Sequence, residues 1–125
     1  MAKWEGITDS ELAILALLWE RGPSTVRDVF DNLPPERQKG YTTTLKLMQL
    51  MHEKGLLKRD EQGRAHVYSP TEEAERRRSG IVRDLVGRLF GGSKRALVMS
   101  ALGPDYDANQ LAEIDRLLAE PEASQ

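Results

Sequence analysis

The chain has no cysteine and no long apolar run. The first absence excludes disulfides, thiolate zinc sites and cysteine nucleophiles, and it suits a reducing compartment. Leu12 to Trp19 is typical of the longest apolar stretches, and it falls well short of the roughly 20 residues that a membrane-spanning helix needs. No basic and apolar leader opens the chain. These absences predict a cytoplasmic protein without export or membrane insertion.

Groups for catalysis and for metal binding are scarce. Only two histidines are present, His52 and His66, and no glycine-rich phosphate loop follows a predicted strand. No pair of carboxylates lies in an evident cleft. Two histidines without a neighbouring ligand cluster give little reason to expect a metal. We therefore expect neither an enzyme nor a protein that carries a metal or another cofactor.

An excess of positive charge is also lacking, because the 125 residues carry a formal net charge of -2. Phosphate contacts dominate the affinity of nucleic-acid binders, so this value argues against one. The local balance is different. Between Arg37 and His66 the seven basic residues are Arg37, Lys39, Lys46, Lys54, Lys58, Arg59 and Arg64, against the three acidic residues Glu53, Asp60 and Glu61. Such a stretch is either a basic footprint or a solvated surface, and charge alone leaves both open.

The first half of the chain predicts three helices followed by a hairpin. Thr8-Asp9-Ser10-Glu11 has capping-box spacing, and the helix that it opens ends at Gly22-Pro23. Ser24 or Thr25 caps a short second helix that ends before Pro34-Pro35. A third helix runs from about Tyr41 to Lys54, between Gly40 and a closing Gly55. Two strands, Leu56 to Asp60 and Arg64 to Ser69, are then joined by Glu61-Gln62-Gly63.

The third helix has two unlike faces at about 100° per residue. The residues expected to pack inward are Thr44, Leu47, Met48 and Met51. Thr42, Lys46 and Gln49 point roughly the opposite way and can donate and accept hydrogen bonds at base edges and phosphates. Leu45 and Leu50 flank this polar face, and either contact with thymine methyls or packing against the hairpin fits them.

Helix, helix, helix and hairpin in this order are typical of a winged helix-turn-helix, whose third helix enters the major groove. Lys46 is expected on a phosphate or a guanine edge and Gln49 on a base edge. The hydroxyls of Thr42 and Thr43 either contact DNA or cap the helix. Arg64 at the hairpin tip, with Lys58 and His66 beside it, is placed for a flanking phosphate or the minor groove. The predicted DNA-binding residues are Tyr41, Thr42, Thr43, Lys46, Gln49, Lys58, Arg64 and His66.

The second half of the chain predicts three more helices. Thr71 caps a helix from Glu72 to about Phe90, a short helix ends at Leu102, and the last runs from about Ala108 to Ala119. Their apolar stripe is too large to face water, so it either folds back onto the N-terminal domain or meets a second copy around a two-fold axis. We expect the dimer, because operators are commonly palindromic. The predicted dimerisation residues are Ile81, Val82, Leu85, Val86, Leu89, Phe90, Leu97, Leu111, Ile114, Leu117 and Leu118. The predicted fold is mainly α with a small β-hairpin, in which residues 1–70 form a winged helix-turn-helix and residues 71–125 a helical dimerisation region.

Read in order, the chain resembles the penicillinase-repressor family (BlaI, MecI and CopY types) over nearly its full length. The motifs that carry the resemblance are E-L-x-I-L-x-x-L-W, G-P-S-T-V-R-D-V, Y-T-T-T-L-K and E-K-G-L-L-x-R-x-x-x-G-R-A-x-x-Y, all within residues 8–70. The resemblance implies a bacterial dimeric repressor that binds double-stranded operator DNA. The family's contacts near the start of the third helix would fall on Thr42, Thr43 and Lys46.

The resemblance also bears on how repression would end. In the family's beta-lactamase regulators, a membrane sensor metalloprotease triggers cleavage in the dimerisation segment, often at an Asn-Phe bond. The corresponding bond here lies near Ser100-Ala101, so that residue pair is missing. Copper-sensing members carry C-terminal cysteine pairs, which this chain lacks.

Two alternatives stay open at the level of sequence. A winged-helix protein-interaction module without specific DNA binding is compatible with the same fold, since fold does not fix function. The basic stretch and the polar face of the third helix argue against it. A repressor that responds to a small molecule is the other alternative, and the sequence shows no pocket that would support it.

Overall fold

A computed structural model describes Trp4 and residues 6–119 of the chain. Six α-helices, one 3-10 turn and one two-stranded antiparallel sheet make up this part, which confirms the predicted fold class. In chain order they are α1 (Asp9–Arg21), α2 (Val26–Asn32), the 3-10 turn Pro35–Arg37, α3 (Tyr41–Glu53), β1 (Leu57–Gln62), β2 (Ala65–Pro70), α4 (Glu72–Phe90), α5 (Lys94–Leu102) and α6 (Ala108–Ala119).

Side-chain caps fix where the first two helices begin. Thr8 and Glu11 form the predicted capping box of α1, each side chain bonding the other residue's backbone N–H. Of the two candidates for α2, Thr25 is the cap, and Asp28 completes a second box. Ser24 is used differently, because its backbone exchanges two hydrogen bonds with Tyr68, at 3.0 and 2.8 Å. This bridge ties the start of α2 to the hairpin.

Glycines set both ends of α3. Gly40 precedes the helix with φ +151°, a conformation that L side chains rarely adopt. At the other end Gly55 has φ +82°, and the N–H groups of Gly55 and Leu56 donate to the carbonyls of His52 and Met51. This pairing is the Schellman motif that the position of Gly55 predicts. The helix that presents the polar face is therefore sharply bounded.

The hairpin turn is one residue shorter than predicted. The strands stay paired as far as Gln62 opposite Ala65, so only Gly63 and Arg64 form the turn, in place of Glu61-Gln62-Gly63. Two-residue turns match the right-handed twist of the paired strands, and Gly63 supplies the positive φ, +64°, that such turns use. Arg64 lies at the tip, as expected.

The chain divides into two compact units, the first ending at Ile81 and the second beginning at Val82. Among the described residues, thirteen buried hydrophobic residues form the core of the first unit, drawn from α1, α2, α3, both strands, Ala74 of α4 and the connecting segments. Trp19 of α1 also donates a 2.8 Å hydrogen bond to Glu75. The start of α4 thus packs on the winged helix, within the first unit.

The second unit has almost no interior of its own. Among its described residues, 82–119, only Val86 is a buried hydrophobic residue. α5 and α6 are joined at the surface by a 2.6 Å ion pair between Arg95 and Asp115. Leu89 is 66% exposed and Leu117 is 54% exposed. The apolar side chains of these helices are therefore less buried than the core side chains of the first unit.

Candidate nucleic-acid interface

The exposed face of α3 carries the side chains that the periodicity predicts. Thr42, Lys46 and Gln49 are exposed, whereas Thr44, Met48 and Met51 are buried and Leu47 is half-buried. Gly40 is the N-cap residue of α3, and no side chain caps this end of the helix. Of the two roles left open for Thr42 and Thr43, capping is therefore not the one they perform, and their hydroxyls lie on an exposed helix start.

A groove of about 310 Å³ lies between α3 and the hairpin. Four of the predicted DNA-binding residues line it: Tyr41, Gln49, Arg64 and His66. The start of α2 and its N-cap contribute Thr25, Val26 and Arg27 to the same wall, and the buried Tyr68 also lines the groove. The start of α3 and the tip of the hairpin thus border one continuous concave surface.

The other predicted residues lie outside this groove. Thr42 and Lys46 are exposed and are not among the residues that line the groove. Thr43 borders a smaller cavity of about 60 Å³ with Ser10 and Lys39. Lys58 lies on β1, opposite Ser69 in the register. The predicted set is therefore spread over the groove, the outward face of α3, the side of α3 that meets α1, and β1.

Three cations of this surface make no ion pair with any described residue: Lys46, Lys58 and Arg64. All three are exposed. Exposed cations without a carboxylate partner are suited to phosphate oxygens. They form the basic part of the surface.

Two members of the basic stretch are engaged elsewhere. Lys54 forms a 2.6 Å ion pair with Glu11, whose side chain is almost fully buried. Burial acts to raise the pKa of the Glu11 carboxyl, but the hydrogen bonds from Lys54 and from the Thr8 backbone outweigh it and hold the pKa below its ordinary value. Arg37 donates to the Ser10 hydroxyl at 3.4 Å. The local charge excess therefore overstates the basic footprint.

His66 has a partner across the hairpin. Its Nε2 lies 3.3 Å from Glu61 Oε1, and the two residues are paired in the strand register. A carboxylate this close competes with a phosphate for the imidazole. Among the predicted hairpin contacts, Arg64 is thus better disposed for DNA than His66.

Arg27 is a residue of this surface that the sequence reasoning missed. Its guanidinium carbon lies 4.5 Å from the centre of the Tyr41 ring, and Phe30 meets the same ring edge-on at 6.1 Å between centroids. The one signal in the sequence that could have drawn attention to Arg27 is its place in the G-P-S-T-V-R-D-V motif.

The two leucines that flank the polar face of α3 differ from each other. Leu45 is half-buried, packs against the core and lines the groove next to the hairpin. Leu50 is 52% exposed and is not among the residues that line the groove. Packing beside the hairpin thus describes Leu45, whereas Leu50 presents an apolar group to whatever covers α3.

The predicted dimerisation residues in the second unit form apolar surfaces around two cavities. A cavity of about 470 Å³ is lined by Val82, Val86 and Leu97, together with Arg83, Gly87, Gly92, Lys94 and Val98. A second cavity of about 370 Å³ lies between Leu102 and Ile114. Ser100 and Ala101, the predicted cleavage region, are exposed in the last turn of α5.

A helix-turn-helix pair, an exposed polar recognition helix and a basic hairpin beside it define a winged-helix DNA-binding protein. Two solved structures support the fold. A transcriptional regulator from Thermotoga maritima matches with a TM-score of 0.59 and 18% identity, covering 90% of this chain and 74% of its own. A MarR family transcription regulator matches with a TM-score of 0.55 and 21% identity, covering 91% and 68%.

The sequence model of the penicillinase repressor family matches residues 7–120, and the chain belongs to that family. The transcriptional regulator BlaI of Mycobacterium tuberculosis is 30% identical over 124 residues, which are 98% of this chain and 90% of the relative. A 16.5 kDa protein of Latilactobacillus sakei is 29% identical over 112 residues, 86% of this chain and 77% of its own. The family and the BlaI relative confirm the prediction of a DNA-binding transcriptional repressor. The names of the family and of this relative indicate a regulator, not an enzyme.

No helix within the described residues is long and apolar enough to cross a membrane. The same part of the chain holds no group of three histidine, aspartate or glutamate side chains arranged to bind a metal ion.

Proposed function

We propose that the protein is a homodimeric repressor that binds a palindromic operator through α3 and the hairpin. In this arrangement α3 lies in the major groove, with Lys46 and Gln49 at base edges and with the hydroxyls of Thr42 and Thr43 at bases or phosphates. Arg64 and Lys58 reach the flanking backbone. The observation that carries the proposal is the continuous exposed surface from the start of α3 to Arg64, beside which Lys46, Lys58 and Arg64 make no ion pair with any described residue.

The dimer is supported by the apolar surface of the second unit. Leu89, Leu117 and Leu118 are exposed, and the walls of the 470 Å³ cavity are mostly apolar. In a monomer this apolar surface faces water. A second copy that covered it would stabilise the dimer by about 25 cal/mol for each Å² of apolar surface removed from water. Two copies around a two-fold axis present two copies of α3, so the matching operator is palindromic.

The experiment that tests DNA binding compares the chain's own upstream intergenic DNA with scrambled DNA at two salt concentrations. Tighter binding to the natural sequence, weakening steeply with salt, is the expected result. Lys46→Glu should reduce this binding at least tenfold, because it places a negative charge against phosphates. Arg21→Glu, an exposed reversal at the end of α1, is the matched control. Equal binding to both DNAs would contradict the operator that we propose.

A winged-helix protein-interaction module is the alternative, favoured by the exposed Leu50 on α3, since an apolar group there also suits a protein surface. The two functions differ in one measurement. If Lys46→Glu leaves DNA affinity unchanged while Leu50→Glu abolishes capture of a partner protein, the interaction module is the better description.

Relief of repression is proposed to follow cleavage near Ser100-Ala101 after a membrane sensor metalloprotease is activated. Both residues are exposed, and Gly103 and Pro104 end the helix just beyond them. Proteases bind extended chain, so the last turn of α5 would have to unwind first. Coexpression with the cognate sensor should yield a fragment that ends in this turn. An intact chain after induction would exclude cleavage there.

A further inference from the structure

The Arg27 and Tyr41 side chains form a preassembled pair at one end of the groove. Arg27 is the second residue of α2, Tyr41 is the first of α3, and the guanidinium lies over the ring at 4.5 Å. Stacking on a ring occupies the flat face of a guanidinium and leaves its N–H edge available. The edge of Arg27 is accordingly exposed, with a side chain 61% accessible.

The only carboxylate paired with Arg27 among the described residues is a weak competitor. Asp31 Oδ1 lies 3.7 Å from Arg27 Nη1, which is beyond hydrogen-bonding distance, and both side chains are more than half exposed. Exposed pairs of this kind contribute 0 to about 1 kcal/mol. An incoming anion that accepts two hydrogen bonds from the guanidinium would therefore displace Asp31 readily.

The groove connects Arg27 to the hairpin. Arg27 and Tyr41 line it together with Gln49 and Arg64, so cations from α2 and from the turn open into one concave surface beside α3. In helix-turn-helix proteins the helix before the recognition helix crosses the DNA backbone. α2 has that position here. An anion presented to Arg27 while α3 occupies the major groove is thus a backbone phosphate.

We propose that Arg27 binds a phosphate of the DNA backbone and that Tyr41 is a positioning residue that holds the guanidinium over its ring. The assignment rests on the function proposed above, because it takes α3 as the recognition helix. It adds Arg27, a residue of α2, to the predicted DNA contacts. It also gives Tyr41 a role that depends on its ring and not on a contact with a base. A backbone phosphate carries no sequence information, so Arg27 contributes affinity and register without discrimination between bases.

The test is a salt titration of full-length protein on the natural upstream DNA and on scrambled DNA. Arg27→Gln should weaken binding to both DNAs by a similar factor of about ten, as loss of a charged hydrogen bond predicts. The slope of log affinity against log salt should fall by about 0.9, the value for one phosphate contact. Arg27→Lys should keep most of the slope, since the charge remains, and lose part of the affinity.

Arg21→Gln is the matched control, because it also removes one exposed arginine from the same unit, and it should leave the slope unchanged. The titration distinguishes failure of the proposed function from failure of the Arg27 contact alone. If the wild type itself does not prefer the natural DNA, the proposed function falls and the inference falls with it. If the wild type prefers it, and Arg27→Gln behaves like Arg21→Gln, the function stands and the phosphate contact of Arg27 is overturned.

The role of Tyr41 is tested by a double-mutant cycle. Tyr41→Phe keeps the ring and should keep the salt slope, whereas Tyr41→Leu removes the platform and should weaken binding several-fold. With Arg27 already replaced by Gln, Tyr41→Leu should add little, since nothing is left to position. If the affinity of the double variant falls by the product of the two single losses, the positioning role is overturned. Thermal unfolding of each variant would show that the fold is retained.

Discussion

The two compact units of this chain bury their apolar residues to different extents. The first unit closes a core of thirteen buried hydrophobic residues, including Tyr68 and Met48, within its own helices and hairpin. The described part of the second has Val86 as its one buried hydrophobic residue, although Leu89, Ile114 and Leu117 recur on its helices at core-like spacing. The first unit covers its apolar side chains with residues of the same unit, whereas the described part of the second unit leaves most of its apolar side chains uncovered.

This contrast assigns stability and assembly to different parts of the molecule. A closed core stabilises its unit at any protein concentration, whereas an apolar surface that is covered by a second copy stabilises only when that copy is present. Residues of the first unit should therefore change the free energy of unfolding directly. Residues of the second should change it in a way that depends on concentration.

The largest effect is expected from a cavity in the closed core. Leu15 is fully buried in α1, so Leu15→Ala should lower the free energy of unfolding by about 2–5 kcal/mol. Urea unfolding at two protein concentrations measures it, and the cost should be the same at both. Ala16→Ser, at the exposed neighbouring position, should change stability by less than about 0.5 kcal/mol. A cost that grows on dilution would remove the distinction between the units.

The next largest effect is expected at the exposed apolar surface of the second unit. Leu89→Glu places a charge on a residue that is 66% exposed in the single chain, so the monomer should tolerate it, while a dimer through this surface should weaken at least about a hundredfold. Sedimentation at micromolar concentration should show a monomer. Operator affinity should fall by a similar factor as the second half-site contact is lost.

Arg88→Gln is the control for that change, since Arg88 is the adjacent residue and is paired only with Asp84 among the residues described. It should remain dimeric. A Leu89→Glu protein that also stays dimeric would place the interface elsewhere, and the apolar face of α4 would then need another partner.

A smaller effect is expected from the buried carboxylate of the first unit. The pKa of Glu11 is lowered in the fold, so its ionised form contributes stability that is present above its unfolded pKa, near 4.5, and is lost as pH falls through the folded value. Glu11→Gln should therefore cost about 1–2 kcal/mol at pH 7 and less below pH 4. The measurement is the urea midpoint of both proteins across this range. A gap between them that widens in acid would contradict the sign.

The parts of the fold that the sequence could predict are those set by local chemistry. The Thr8 and Glu11 capping box, the Schellman end at Gly55 and the inward face of α3 depend on residues within a few positions of one another. The bridge between Ser24 and Tyr68 depends on residues far apart in the chain, and no spacing rule indicates it. The same limit explains the hairpin, whose register extends further than its turn residues suggested.

The candidate site divides in the same way. Exposure of Thr42, Lys46 and Gln49 follows from helical periodicity, whereas the groove and the stacking of Arg27 on Tyr41 need the angle between α2 and α3. Charge counting included Lys54, which the fold turns towards Glu11, because composition carries no direction. The DNA contacts, the dimer surface and the division of the chain after residue 70 stay predictions.

The smallest effect is expected where α4 leaves the first unit. Trp19 is half-buried against the core of the first unit, donates to Glu75 at 2.8 Å and lies under the Arg78 guanidinium at 4.1 Å. Trp19→Phe keeps a ring for Arg78 and loses the hydrogen bond, so it should cost about 0.5–1.5 kcal/mol. Amide hydrogen exchange should quicken at residues 72–78, which pack on the winged helix within the first unit, and stay unchanged at residues 82–90, which belong to the second unit. Equal acceleration along all of α4 would show that the helix is a single cooperative element and that the boundary between the two units at Ile81 has no energetic meaning.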